Sequence, residues 1–597
     1  RGSARGPVHG REMTSPRRAL FAPLVYAWLI LVLVPFLLAA PTLLGWAAVR
    51  EEADLLFVKE DVWVVGSMTA LLLIIPLAGR LRLAPTLPSM VSVWTLAALV
   101  FAISAAGVGL VFGGFALSRD EDMANFGADI LRHGELWAPV APGWRTFTAG
   151  LEPEFVRFSF GSEFWQPAYL PVNAALRALA GPAASLINPA LAAGSVLAAY
   201  AIGRRLWPER ADLAVVAALF VALSSQVLAA AMTPYAMTAH MAFNLAWLWL
   251  HLRGGKAGHA GALAIGFLAT GLHQLVFHPM FAAPFVAQLW LDRRWRIAAV
   301  YTLAYAAICL FWLELSPLAL AWQGGSLGHA TAGVTGLGGQ VSALIGARHP
   351  PALRSMAENL LRFFSWQGLL AAPLAAIGAF FAVRTPGPLR SMVGGLALTT
   401  AALFVLMPYQ GYGWGYRYWH GLIGPIALLA AFGWRRLTEF LTTADRVWAS
   451  RAFAAAAAIS ALVLIPIRLV QAHDLVAPYA AGWRAVEAAP TPLVIVDPTG
   501  AWYLDDLVRN DPYLTNRPRI LRAGGLRRDQ LEALCRGYPV SVLDAAGAAR
   551  FGVRVLPGWQ RDLGLTRWRT LGLAPTCGQA RTPIFRIGAP SYQGASR

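Results

Sequence analysis

Charged residues are scarce in this chain of 597 residues. They account for 13% of it, whereas hydrophobic residues account for 57% and the mean hydropathy is +0.53. A soluble domain of average composition has about 25% charged residues. Runs of about 20 apolar residues, the length that crosses a bilayer, recur along the sequence. The composition therefore predicts a polytopic α-helical membrane protein.

Cysteine and several familiar motifs are also scarce or missing, and each gap excludes a class of site. The three cysteines are Cys309, Cys535 and Cys577, with no CxxC or His/Cys spacing that would indicate zinc. No Walker or Rossmann motif is present, which argues against a nucleotide site. The net charge of +18 comes from arginines between apolar segments, where they set topology, so nucleic acid is not the expected partner. A bridge between Cys535 and Cys577 is chemically permitted, but the sequence leaves it open.

The apolar runs predict about thirteen membrane spans whose connecting loops alternate in charge. The arginine-rich loops are assigned to the cytoplasm by the positive-inside rule, which places loops 118–182 and 317–358 outside. Residues 166–181 are predicted to form a helix along the outer surface, because a further crossing would put the Arg204-Arg205 loop outside. The predicted spans lie near residues 20–48, 62–79, 89–117, 183–203, 212–231, 234–252, 259–277, 279–291, 297–316, 359–383, 392–408, 418–434 and 452–470.

Four regions follow from this layout. Residues 1–12 look like an expression remnant before a natural start at Met13. Residues 13–88 are assigned to N-terminal transmembrane helices, and residues 89–474 to a transmembrane core with the two large outer loops. Residues 480–597 are predicted to form a small soluble α/β domain on the periplasmic side, since LVIVDP is typical of a strand and RRDQLEALC of a helix.

Two polar motifs at predicted span ends could carry chemistry. Asp120 and Glu121 directly follow the third span, where carboxylates are expensive to desolvate. They indicate either a solvated loop start or a partly desolvated general base. Arg417 and Tyr418 lie at the outer end of a late span. Their pattern fits either phosphate binding or snorkelling of arginine within an aromatic belt.

The order and spacing of five short motifs resemble the GT-C superfamily of membrane glycosyltransferases, especially the branch of aminoarabinose transferases and protein O-mannosyltransferases. The resemblance covers roughly residues 85–470. Two spans precede the matching region where many family members have none, and the turn lysine of the family is absent. The motifs are Asp120-Glu121, Ile130-Leu131-Arg132-His133-Gly134, Pro167-Ala168-Tyr169-Leu170-Pro171, Gly271-Leu272-His273-Gln274 and Gly415-Tyr416-Arg417-Tyr418.

The resemblance implies an inverting glycosyltransferase in the bacterial inner membrane, with its active site and C-terminal domain in the periplasm. The donor would be a sugar on a polyprenyl phosphate, and the acceptor a hydroxyl of a cell-envelope glycan, lipid or protein. Asp120 would be the general base, with Glu121 assisting it or holding the loop. Arg417 and Tyr418 would bind the donor phosphate. Residues expected to line the cavity are His273, Gln274, Glu154, Glu163 and Tyr169.

We expect no cofactor and no metal site, although some GT-C members use a divalent cation.

Two other functions are compatible with a polytopic chain. An O-antigen ligase or polymerase would depend on a late outer loop rich in Arg and His, whereas the acidic first loop dominates here. A transporter or flippase usually shows internal repeats and broken helices, and no convincing repeat is found.

Overall fold

The computed structural model describes residues 16–45, 55–80, 92–151, 154–327, 352–407, 410–411, 413–556 and 585–586. Within these ranges, seven helices are long and apolar enough to cross a membrane, and a pair bent by 57° would make an eighth. The chain is therefore a multi-pass α-helical membrane protein. The predicted expression remnant and Cys577 lie outside the described residues.

The first three helices are apolar on all sides. One side of each packs on its neighbours, while side chains such as Trp63 and Trp94 are about 70% exposed on the other. This distribution is typical of helices that face lipid. A π-helical turn, Phe57–Asp61, precedes the second of them. They are α1 (Pro16–Leu43), α2 (Val62–Ala78) and α3 (Val93–Leu110).

The region that the sequence predicts as the first outer loop, here called the first outer region, follows α3 and contains short elements. A three-stranded antiparallel sheet has the order β1-β3-β2. The predicted surface helix at 166–181 begins only at Val172, because residues 164–167 form a strand and Pro167 and Pro171 lack the amide hydrogen that a helix interior needs. The elements are α4 (Arg119–Arg132), β1 (Ala138–Pro139), α5 (Thr148–Leu151), β2 (Val156–Phe158), β3 (Phe164–Pro167) and α6 (Val172–Ala180).

The transmembrane core follows. Four of its helices at predicted spans have 15 to 17 residues and fall short of the ~20 that cross the hydrocarbon, namely Met237–Arg253, Gly255–Thr270, Phe277–Leu291 and Ile423–Thr438. The described residues therefore do not confirm the count of about thirteen spans. The core helices are α7 (Ile187–Leu206), α8 (Ala211–Ala222), α9 (Ser225–Ala231), α10 (Met237–Arg253), α11 (Gly255–Thr270), α12 (Phe277–Leu291), α13 (Trp295–Trp322), α14 (Ala352–Ser365), α15 (Ala371–Ala382), α16 (Pro388–Leu406), α17 (Ile423–Thr438), α18 (Thr443–Ile459) and α19 (Ile465–Glu487).

The segment predicted as one span at 359–383 is not a single helix, because the chain breaks between α14 and α15. Neighbouring helices bind the backbone groups that the break releases. Leu369 N donates to Ser460 Oγ at 3.0 Å, and Trp366 O accepts from Gln226 N at 3.3 Å. Such external partners are what a helix break within a membrane protein requires.

Helices α15 and α17 approach each other so closely that only glycine fits at the crossing. A Cβ atom at Gly433 would lie 2.0 Å from Leu374 O, and one at Gly378 would lie 1.9 Å from Leu429 O. Close backbone approach through small residues is a common mode of helix association in membranes.

We expect Gly433→Ala to destabilise the protein by about 1–3 kcal/mol or more, since the added methyl group must push two backbones apart. The measurement is thermal unfolding of the purified protein in detergent. Gly66→Ala in α2 is the matched control, because nothing lies within 4 Å of the added Cβ. Equal melting temperatures for the two variants would contradict the close crossing.

The last long helix carries the chain out of the membrane. Helices α18 and α19 form one continuous run of 45 residues through a π-helical turn, which at 1.5 Å per residue exceeds the ~30 Å hydrocarbon thickness. A parallel sheet of order β5-β4-β6-β7 follows, and its strand at 493–496 and helix at 528–537 lie where the sequence patterns predict them. Its elements are β4 (Leu493–Val496), β5 (Arg519–Arg522), α20 (Arg528–Gly537), β6 (Val540–Leu543), α21 (Ala545–Arg550) and β7 (Phe585–Arg586).

This C-terminal sheet shares a hydrophobic core with the first outer region. Met123 and Phe126 of α4 belong to the same buried cluster as Leu493 and Leu521 of the sheet. Trp165 Nε1 also donates to Pro512 O at 2.7 Å. An apolar sheet face must be covered, and here α4 and its neighbouring strands cover it. The C-terminal segment thus helps to hold the helix that carries Asp120.

Candidate functional site

The acidic motif forms the first turn of α4. Ser118 is the N-cap residue, and its Oγ accepts a hydrogen bond from Glu121 N at 3.2 Å. The N-terminal turn of a helix favours negative charge, because its free amide groups and the helix dipole are positive there. The local sequence therefore explains why Asp120 and Glu121 lie in the first turn of a helix.

Asp120 is buried and ion-paired. Its Oδ2 accepts a hydrogen bond from Arg417 Nη1 at 2.5 Å, and its Oδ1 lies 3.6 Å from His273 Nε2. Among the described residues, Oδ1 has no hydrogen-bond partner. Burial raises the pKa of Asp120 and is the largest influence on it, but the Arg417 guanidinium, His273 and Tyr169 together outweigh burial and hold the pKa well below its usual range. Asp120 is thus a carboxylate whose Oδ1 lies beside His273 without a direct hydrogen bond.

Arg417 is held by aromatic hydroxyl groups as well as by Asp120. Its Nη1 donates to Tyr235 Oη at 2.6 Å, and its Nη2 donates to Tyr418 Oη at 3.3 Å. Its backbone N donates to Gln410 Oε1 at 2.9 Å. These contacts fix the plane of the guanidinium before any ligand arrives, which suits bidentate binding of a phosphate.

The turn at 271–274 forms the opposite wall of the site. The rings of His273 and Tyr169 stack with centroids 3.8 Å apart. Leu170 N donates to His273 O at 2.9 Å, and Val172 N donates to Gly271 O at 2.9 Å. The two motifs that the sequence places about 100 residues apart are therefore joined by backbone hydrogen bonds.

These residues surround a cavity of about 550 Å³. Most of its lining is apolar and comes from α4, β3, α6 and α13. A few polar side chains converge on it, a combination typical of a site for a largely apolar ligand with one polar end. The polar lining residues are Asp120, Arg157, Gln166, Tyr169, Asn173, Tyr235, His273, Gln274 and Ser316.

Two predicted cavity residues lie elsewhere. Glu154 pairs with Arg119 at 3.5 Å and Glu163 pairs with Arg145 at 3.0 Å; each is about half exposed, and neither lines the cavity. Arginines close to them in the folded outer region compete for these carboxylates, and the sequence could not reveal that. The structure does bring Asp120, Tyr169, His273 and Gln274 to one cavity, with Arg417 and Tyr418 beside it.

Glu121 faces away from the cavity into the protein. Its Oε2 accepts a hydrogen bond from Leu117 N at 2.9 Å, which fixes the turn before α4. Burial is the main cause that raises the pKa of Glu121 to about 8, and the nearby Asp120 charge adds to it. The side chain is therefore neutral at neutral pH, and its position fits the predicted role of holding the loop.

Two parts of the site, Tyr235 and the C-terminal segment, were not predicted from the sequence. Tyr235 joins Arg417 to Ser118, whose Oγ lies 3.1 Å from the Tyr235 hydroxyl; the Thr233-Pro234-Tyr235 break inside an apolar run was a signal for it. The C-terminal segment also holds the turn that carries Asp120. Arg119 Nε donates to Asp506 Oδ1 at 3.3 Å, and Arg509 Nη2 donates to Leu117 O at 3.1 Å.

The described residues around Asp120 offer few ligands for a metal ion. In the part of the chain that the structure describes, no three His, Cys, Asp or Glu side chains converge to hold an ion. Asp120 and His273 are only two potential ligands, and Arg417 already neutralises the first. That the protein has no metal site remains a prediction.

Comparison with known proteins gives structural similarity but no sequence match. No protein-family model matches the chain, and no curated protein matches it. The structure is similar to ArnT from Cupriavidus metallidurans bound to undecaprenyl phosphate, at 14% identity and a TM-score of 0.44, over 77% of this chain and 89% of that one. The apo state of the same protein aligns at 13% identity and a TM-score of 0.43, over 80% of this chain and 94% of that one.

Proposed function

We propose that this protein is an inverting GT-C glycosyltransferase, which moves a sugar from a polyprenyl-phosphate donor to a cell-envelope acceptor hydroxyl on the periplasmic side of the bacterial inner membrane. The observation that carries the proposal is the pair Asp120 and Arg417. A buried carboxylate whose Oδ1 lies near His273 stands beside a fixed guanidinium at the wall of an apolar cavity. Base, phosphate binder and lipid site are therefore adjacent.

The donor occupies the apolar cavity. Its isoprenoid chain packs against the lining, and its phosphate approaches Arg417, which Tyr235 and Tyr418 hold in place. Without donor, Asp120 neutralises Arg417. When the phosphate shares the guanidinium, Asp120 loses part of its stabilising charge, and its pKa rises towards the range in which it accepts a proton.

The chemical step is then a single displacement at the anomeric carbon of the donor sugar. The acceptor oxygen attacks the anomeric carbon from the face opposite the phosphate, while its proton passes to Asp120 Oδ1. The bond from the anomeric carbon to the phosphate oxygen breaks, and the electron pair stays on the polyprenyl phosphate. Arg417 stabilises the charge that develops on this leaving group. The configuration of the sugar inverts.

The direct test is mass spectrometry of cell-envelope glycans from a deletion strain. We expect one sugar substituent to be lost, and to return with the wild-type gene but not with the Asp120→Asn gene. Unchanged glycans in the deletion strain would overturn the proposal. Restoration of the sugar by the Asp120→Asn gene would overturn the role of Asp120.

Ionisation of Glu121 is expected to lower activity at alkaline pH. Above about pH 8 its carboxyl group ionises, which places a second buried negative charge beside Asp120. The raised pKa keeps Glu121 protonated in the folded state, whereas in the unfolded state the carboxyl group ionises near its ordinary pKa of 4.5. The stability of the folded protein therefore falls as the pH rises from 4.5 to about 8. We expect turnover to fall above about pH 8 in the wild type.

Glu121→Gln mimics the neutral form and should retain turnover at neutral pH while lacking this alkaline decline. The measurement is a pH–rate profile on both proteins. Glu163→Gln, at a half-exposed position outside the cavity, is the control and should follow the wild-type profile. An identical alkaline limb in Glu121→Gln would show that another group causes it.

A further inference from the structure

A second cavity lies on the other face of α4. Its volume is about 560 Å³, and it is enclosed by α4, the end of α19 and the loop before β5 in the C-terminal segment. We propose that this cavity binds a neutral saccharide, namely the part of an acceptor glycan that lies away from the reacting hydroxyl. Its role as an acceptor site rests on the proposed glycosyltransferase function, whereas saccharide binding itself does not.

Helix α4 separates the two cavities. Asp120, Met123 and Gly127 line the catalytic cavity, whereas Asp122 and Asp129 line the second one. A helix with its side chains is about 10–12 Å across, so a ligand in the second cavity does not reach Asp120 through the helix. The second cavity is therefore a separate site.

The charges of the second cavity are nearly balanced. Four carboxylates line it, from Asp122, Asp129, Glu487 and Asp511, together with three guanidinium groups. The carboxylates would repel a phosphate, and the guanidinium groups would repel a metal ion. Sugar hydroxyls both donate and accept hydrogen bonds, so a mixture of acceptors and donors suits them.

Aromatic and amide side chains complete a lining that suits sugars. Trp483 supplies an apolar face against which the C–H face of a pyranose ring can pack, whereas Phe115 lies buried beneath Arg509. The guanidinium of Arg509 already lies 4.1 Å over the Phe115 ring. Asn510 and Asn516 line the same wall, and Asn516 Nδ2 donates to Asn510 Oδ1 at 3.1 Å. This wall is ordered by its own contacts before a ligand binds.

The cavity is open to solvent and linked to the turn that carries Asp120. Arg484, Glu487 and Arg517 are exposed at its rim, so a glycan can enter. Arg509 lines the cavity and also donates to Leu117 O at 3.1 Å, directly before the turn that carries Asp120. A glycan held here would be positioned by the same residue that holds this turn.

The test measures binding of saccharide to the full-length protein in nanodiscs, by calorimetry and saturation-transfer NMR. The probe is the neutral fraction of short oligosaccharides released by mild acid from the host's own envelope polysaccharide. Glu487→Arg adds bulk and positive charge at an exposed rim position, and Trp483→Leu removes the aromatic face. We expect each variant to weaken binding about tenfold or more, which is at least ~1.4 kcal/mol.

The control variants separate this site from the catalytic one. Glu209→Arg makes the same change at an exposed residue that lines neither cavity, and Asp120→Asn changes the catalytic cavity only. Both should bind the probe as the wild type does, and all variants should match the wild-type far-UV circular dichroism.

The inference fails if the wild type binds no neutral oligosaccharide, if only a phosphorylated fraction binds, or if neither Glu487→Arg nor Trp483→Leu weakens binding. Such a result leaves the proposed function intact when Asp120→Asn still abolishes transfer. Conversely, the wild type could bind the oligosaccharide, lose this binding in Glu487→Arg, and yet transfer no sugar. That result would support saccharide binding in the second cavity and refute the proposed glycosyltransferase function.

Discussion

Asp120→Asn is expected to lower sugar transfer by roughly 10²–10⁴-fold, the usual contribution of a positioned general base. The amide has nearly the same shape as the carboxylate but does not accept the acceptor's proton. Donor binding should be retained or tightened, because Arg417 no longer has an anionic partner in Asp120 and its charge is available for the donor phosphate.

The measurement compares turnover of a polyprenyl-phosphate sugar with its equilibrium binding to protein in nanodiscs. Asp529→Asn, the same substitution at an exposed residue of α20, is the control for general effects. Loss of the ion pair also leaves a buried guanidinium, so the unfolding temperature of Asp120→Asn must be recorded. Full turnover in Asp120→Asn would remove the proposed base.

Arg417→Lys is expected to have the second large effect. Lysine keeps the positive charge, but a single ammonium group does not reproduce the geometry by which the guanidinium contacts Asp120, Tyr235 and Tyr418 together. We expect polyprenyl phosphate to bind about 10–100-fold more weakly, a cost of roughly 1.4–2.7 kcal/mol. Turnover should fall further, because the leaving-group charge is less well stabilised.

Binding of polyprenyl phosphate in nanodiscs measures this effect without any acceptor. Arg204→Lys, at an exposed arginine at the end of α7, is the matched control and should bind the lipid as the wild type does. Unchanged affinity in Arg417→Lys would favour the other interpretation of this residue, an arginine that snorkels within an aromatic belt.

The two predictions depend on a contact that local sequence patterns do not encode. Asp120 and Arg417 are 297 positions apart in the chain. Their motifs could each be found, because an acidic first turn and an arginine beside tyrosines stand out at span ends. That Arg417 neutralises Asp120, and so controls its proton affinity, follows only from the packing of the helices between them.

Hydrophobic runs and their periods determined much of the fold from sequence alone. They are local properties, so they revealed the multi-pass class, strand β4 and helix α20. They failed at residues 366–370, where Ser460 and Gln226 from distant helices bind the freed backbone and permit a break inside an apolar run.

Only the tertiary structure decided which polar groups share a site. The sequence predicted that Glu154 and Glu163 line the cavity with Asp120, yet half-exposed contacts with arginines keep them out of the cavity. The structure also decided that the C-terminal segment packs on α4 and clamps its first turn through Asp506 and Arg509. The physical reason is that hydropathy fixes which segments enter the membrane, whereas charge pairing depends on distances that arise only once those segments pack.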